Sequence, residues 1–147
     1  MRTLDLRTKQ QSRNCEALVS WLYSLLLGND SEVVHRTVAE VKHSSLQRND
    51  MAWLRKQIPG GFGSVFMIVM RTEDYARRVP SKLHVFQHAT SLGGVESLIE
   101  WRKMTDNFAA GDIIRISVGI ESIEDLKEDL LNGLKAVLEN AANDTAE

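Results

Sequence analysis

The chain has 147 residues, 43% of them hydrophobic and 26% charged, and a formal net charge of −2. That balance excludes a disordered chain, and the slight acidity gives no electrostatic footing for nucleic acid as a partner. Leu22–Leu27 is too short an apolar run to span a bilayer, so no membrane partner is expected, and a single cysteine, Cys15, fits a reducing, cytoplasmic setting.

In chain order, Thr8 to Leu27 reads as a helix, because Ala17, Leu18, Trp21, Leu22, Leu25 and Leu26 recur at helical spacing; Gly28, Asn29 and Asp30 end it. Val33 to Val41 fits a helix or a strand, and its β-branched content favours the strand. Leu46 to Ile58 reads as a helix stopped by Pro59-Gly60-Gly61. Gly63 to Met70 is the most apolar run and predicts a strand buried inside a sheet. Thr72 caps a short helix through Val79, and Leu83 to His88 predicts another strand. Ser91 to Gly94 is a turn, followed by a helix from Val95 to Lys103. Ile113 to Ile120 alternates as a strand, with Ile114, Ile116, Val118 and Ile120 on one face and Ile113, Arg115, Ser117 and Gly119 on the other. Ser122 opens the last helix, which runs to about Asn140, and residues 141–147 form a small polar tail expected to fray. Residues 1–147 are expected to form one domain, with three or four strands covered by helices.

Two segments could carry chemistry. At Ala89 to Leu98 a strand runs into a glycine turn and a predicted helix, so free N–H groups there could hold an anion; the same glycines would also serve a plain tight connection. Arg115 lies mid-strand between isoleucines. Its planar fork suits a carboxylate, and a place on the solvated face or in a structural ion pair accounts for it equally well. His35, His43, His84 and His88 have no acidic or cysteine neighbours at metal-ligand spacing, so no metal is expected. Cys15 beside the first helix's stripe reads as packing.

Ser91-Leu92-Gly93-Gly94-Val95-Glu96-Ser97-Leu98-Ile99-Glu100, then Ile114-Arg115-Ile116-Ser117-Val118-Gly119-Ile120-Glu121 and Glu124-Asp125-Leu126, resembles the C-terminal signature of the trans-sulfuration enzymes of cysteine and methionine metabolism. Arg2-Thr3-Leu4, Leu6-Arg7, Gln11 and Asn14 resemble that family's entry to its C-terminal domain, and Pro59 to Phe66 its central strand. His43-Ser44-Ser45-Leu46 with Trp101-Arg102 looks most like the fungal cystathionine-lyase-like branch.

The resemblance implies the small C-terminal domain of the pyridoxal-phosphate type I fold, α/β with a mainly antiparallel sheet. It implies that Arg115 binds the substrate α-carboxylate, assisted by the backbone at Ser91 and flanked by Thr90 and Leu92. The full family uses pyridoxal 5'-phosphate to break or exchange carbon–sulfur bonds of sulfur amino acids. The family's cofactor lysine has no counterpart here, since Thr8-Lys9 is followed by Gln10-Gln11-Ser12 rather than Gly-His, so this chain is expected to bind no cofactor alone and to be inactive alone. A self-associating chain, a partner of an intact family member, and a non-catalytic carboxylate-binding or interaction domain remain open alternatives. Thr90 replaces the glutamate common before Ser-Leu-Gly, and Trp101-Arg102-Lys103 replaces a usual proline.

Overall fold

The computed structural model describes residues 2–144. It opens with helix α1, Leu4–Leu27. Its buried face is Gln11, Ser12, Asn14, Cys15, Leu18, Val19 and Leu22. The apolar half of that face matches the predicted stripe only in part. Ala17 is exposed, and Cys15 and Val19 take its place, so the buried stripe is rotated from the predicted one.

The ambiguous stretch after α1 divides. Ser31 accepts the Val34 N–H in its side chain and starts a helix, α2 (Glu32–Thr37), which hands over directly to strand β1 (Val38–Lys42). The strand expectation thus holds only for its second half. The N-cap serine overrides the β-branched propensity of Val33 and Val34. The long helix predicted over Leu46 to Ile58 is shorter too: a 3-10 turn occupies Ser44–Leu46, and α3 covers only Met51–Gln57.

Strand β2 is Val65–Met70, and it alternates: Phe66, Ile68 and Met70 are buried while Val65, Met67 and Val69 are half-buried. Thr72 caps α4 (Glu73–Arg78) by accepting from the Tyr75 N–H, as predicted. The predicted strand Leu83–His88 shrinks to β3, Gln87–His88. The Asp129 carboxylate accounts for this, because it accepts the backbone N–H groups of His84, Val85 and Phe86 at 2.8–3.1 Å and takes them away from any ladder.

The helix predicted over Val95 to Lys103 does not form. Leu98–Trp101 is strand β4, followed by a 3-10 turn at Arg102–Met104. Val95, Leu98 and Ile99 have helical spacing, but a strand here buries Leu98, Ile99 and Glu100 together against its neighbour. Burying a Leu or Ile side chain contributes about 1.5–3 kcal/mol, more than the propensity difference at stake. The anion site that such a helix N-terminus could have offered falls with the helix, and the plain connection is what forms.

Strand β5 is Ile113–Ser117 and helix α5 is Ile123–Asp144. The last three residues of the predicted tail lie outside the described residues, and α5 extends past its first four. The sheet has five strands in the order β1-β2-β5-β4-β3. Its pairs are antiparallel except β3 with β4.

One apolar core joins the sheet's inner face to the helices. It contains Leu18 and Leu22 of α1, Phe66 and Ile68 of β2, Ile114 and Ile116 of β5, and Leu126, Leu130 and Leu134 of α5. By alternation the residues between these point to the other face. The register there sets Lys42, Met67, Arg115 and Glu100 in one row across β1, β2, β5 and β4.

Candidate functional site

Arg115 stands in the middle of that row, with Met67 opposite on β2 and Glu100 opposite on β4. Its side chain is only 16% exposed. Nη2 lies 2.9 Å from Glu100 Oε2 and donates to the carbonyl of Ser91 at 3.0 Å and to that of Thr90. Nε–H is buried and has no partner, and every hydrogen bond shown for the guanidinium is made by Nη2, so Nη1 is uncommitted as well.

Glu100 is completely buried. Besides Arg115, Arg102 Nη1 donates to both its oxygens at 3.2 Å, and the Thr105 hydroxyl donates to Oε1. Arg102 Nη2 reaches Asp106 Oδ2 at 3.4 Å. A chain of alternating charge therefore runs Arg115, Glu100, Arg102, Asp106.

The turn that meets Arg115 is fixed from several sides. Gly93, at φ +78°, donates its N–H to Ser117 Oγ at 3.3 Å. The Gly94 carbonyl accepts from Gln11 Nε2, and the Val95 carbonyl accepts from Ile120 N at 2.9 Å. Ser97 donates its N–H and hydroxyl to the Glu121 carboxylate at 2.6 and 2.8 Å, while its Oγ accepts from Gly119 N at 2.8 Å. Asn14 Nδ2 closes the arrangement by donating to the carbonyls of Gly119 and Glu121 at 3.2 and 2.8 Å. A side chain at position 119 would collide with the Val95 carbonyl, so glycine is required for this close approach.

A cavity of about 870 Å³ opens beside this assembly, lined by Tyr23, Lys42, His43, Phe66, Met67 and Arg115 among others. That is ample for a small organic molecule. Arg115, Lys42 and Glu40 bring charge to it; Lys42 Nζ lies 3.2 Å from Glu40 Oε2, and Met67 stands between Lys42 and Arg115 in the register.

Thr90 and Ser91 thus meet Arg115, through their carbonyls. Leu92 is exposed beside them, with no hydrogen bond to Arg115. The sequence motif contains Glu100 without marking its part; its register partnership with Arg115 is visible only once β4 is a strand. Gln11 and Asn14 belong to the resembling segment at the chain start, and their side chains turn out to hold the site's turn.

Cys15 and His43 form a separate buried pair, with Sγ 3.6 Å from Nε2 and His43 Nδ1 2.8 Å from Ser45 Oγ. Burial, and then the charge of Glu16, pushes the Cys15 thiol up to about 12. Burial also holds His43 below its ordinary value, against smaller opposing contributions from Glu16 and the Phe62 and Gly63 backbone. A thiol so protonated is no nucleophile, which agrees with a packing role. Among the described residues no three histidine, cysteine or acidic side chains are grouped to hold a metal ion, and no helix is long and apolar enough to cross a membrane.

The model of the Cys/Met metabolism PLP-dependent enzymes matches residues 1–135. The chain belongs to this family. Members depend on pyridoxal phosphate. The chain is 34% identical to cystathionine gamma-synthase of Mycobacterium tuberculosis, over 91% of its own length and 34% of that protein's. It is 33% identical to the Escherichia coli cystathionine gamma-synthase, over 92% of its length and 36% of the other's. Cystathionine gamma-lyase from yeast superposes with a TM-score of 0.77 at 25% identity, covering 92% of this chain and 36% of that one. The chain therefore spans about a third of the length of the relatives it matches. The β5 arginine and the glycine turn before β4 lie within the matched region.

Proposed function

We propose that these residues form the substrate-side part of a pyridoxal-phosphate enzyme of sulfur amino-acid metabolism, cystathionine gamma-synthase-like or lyase-like, in which Arg115 binds the substrate α-carboxylate. One observation carries this reading. Arg115 lines the 870 Å³ cavity with a guanidinium already oriented by Ser91, Thr90 and Glu100, and its Nε–H is left without a partner. A planar fork held in one orientation loses little entropy on meeting a carboxylate. Thr90 and Ser91 hold Arg115 through their carbonyls from outside the cavity's lining, and with Leu92 beside them they would shape the fit of the substrate through the arginine.

The described residues do not by themselves fit the cofactor. Every lysine among them is exposed or half-buried, and those that border cavities, Lys9 and Lys42, are ion-paired to Asp5 and Glu40. Holding pyridoxal phosphate is therefore assigned to residues beyond these, in the same protein or in a partner chain, and no turnover is expected from these residues alone in a cytoplasmic setting. Association with such a partner, or with a second copy, is supported by exposed apolar side chains such as Trp53, Met104 and Phe108.

Isothermal titration with L-cystathionine tests the carboxylate role. Wild type is expected to bind, and Arg115→Lys, which keeps the charge but loses the fork, to bind roughly tenfold more weakly or worse. Equal binding by the two would sink the assignment.

A further inference from the structure

Glu100 poses a physical problem for the site it supports. A carboxylate wholly out of water costs several kcal/mol unless it is paired and hydrogen-bonded. Arg115 pairs with it at 2.9 Å. If Arg115 were its sole cation, an incoming α-carboxylate would place two anions on one guanidinium, and one of them would be left under-paired.

Arg102 removes that conflict. It donates to both Glu100 oxygens at 3.2 Å from the turn that follows β4, and Asp106 steadies its far end. It does not line the 870 Å³ cavity, so it acts through Glu100 and not on a ligand.

We propose that Arg102 is the second cation for Glu100, keeping that buried carboxylate paired when Arg115 takes up the α-carboxylate of an amino acid; this rests on the reading of Arg115 above. Arg102 is thus a positioning residue, and it is placed where this sequence departs from the family resemblance. The Thr105 hydroxyl, also on Glu100, supports the same state.

The test is an NMR titration of the full chain with L-methionine, with L-methioninol, which lacks the carboxylate, as the control. The signal followed is the Arg115 Nε–H. In wild type L-methionine is expected to shift it and L-methioninol to leave it in place. No shift with L-methionine would defeat the carboxylate reading of Arg115, and this inference with it. Arg102→Gln is expected to weaken L-methionine binding roughly tenfold, the scale of one charge-assisted hydrogen bond, and Arg102→Lys to restore most of it. Adding Glu100→Gln to Arg102→Gln removes the charge that needs pairing and is expected to recover most of the binding that Arg102→Gln loses. If wild type responds but Arg102→Gln binds equally well, or the double variant stays as weak as the single one, only the role of Arg102 is overturned. Backbone amide dispersion reports whether each variant is folded. Should Arg102→Gln lose its fold, Glu100→Gln alone decides: binding equal to or tighter than wild type supports the proposal, and weaker binding refutes it.

Discussion

Glu100 and Arg115 stand opposite each other on β4 and β5, two adjacent strands within the sheet, with Glu100 Oε2 2.9 Å from Arg115 Nη2. Glu100 has no contact with water. Replacing Arg115 with alanine leaves that carboxylate dependent on Arg102 and Thr105. The expected loss is about 2 kcal/mol of unfolding free energy, below the full cost of an orphaned buried charge because Arg102 remains. Urea denaturation measures it. The double variant Arg115→Ala with Glu100→Gln is expected to recover part of the loss, and a double variant no more stable than the single would place its cause elsewhere.

The Ser91 turn depends on α1 as much as on its own sequence. Asn14→Ala removes two hydrogen bonds, to Gly119 and Glu121, and is expected to cost about 2 kcal/mol, read as a fall in thermal midpoint. Gly119→Ala is expected to cost at least as much, because the added carbon meets the backbone of Val95 and Glu96 as well as the Glu121 carboxylate. A Gly119→Ala chain as stable as wild type would show that the 95–96 segment yields easily.

Cys15 is fully buried and its thiol is pushed up to about 12. At pH 7 the thiolate fraction is then on the order of one in 10⁵. A disulfide reagent is expected to label the native chain only through unfolding, with the labelling rate rising in urea in step with the unfolded fraction. Rapid labelling in buffer would mean that the helix face carrying Cys15 opens locally.

His43 gives a pH dependence with a definite sign. Its folded-state pKa lies below the ordinary histidine value, chiefly through burial, so the unfolded chain binds its proton more readily. Its contribution to stability is fully present above about pH 6.5 and is lost as pH falls from there towards the depressed folded value. Urea midpoints measured from pH 7.5 down to 5 are expected to show this decline, and His43→Gln to flatten it. An unchanged slope in His43→Gln would assign the decline to other groups.

The sequence exposed those parts whose signal is local. Thr72 capped its helix as read, and Ile114 and Ile116 took the buried face of β5 opposite Arg115. The structure places the carbonyls of Thr90 and Ser91 on Arg115 Nη2. What misled was spacing that suits two structures. Val95, Leu98 and Ile99 match a helical stripe, and only pairing with β5 decides for a strand. The shortness of β3 was equally hidden, because Asp129, more than forty positions away, takes its N–H groups. Glu100 was visible as a residue but not as a partner, since its register with Arg115 exists only after β4 is placed. The fungal leaning rests on His43 to Leu46 and Trp101-Arg102 alone.

The hydrogen bonds from Gln11 and Asn14 join positions 83 to 107 residues apart. Loops of that size close slowly, because their entropy is spent before the contacts form. The turns at Gly94 and at Gly119 to Glu121 are therefore fixed only together with α1, so the surroundings of the arginine and the first helix are expected to form and to melt as one cooperative unit.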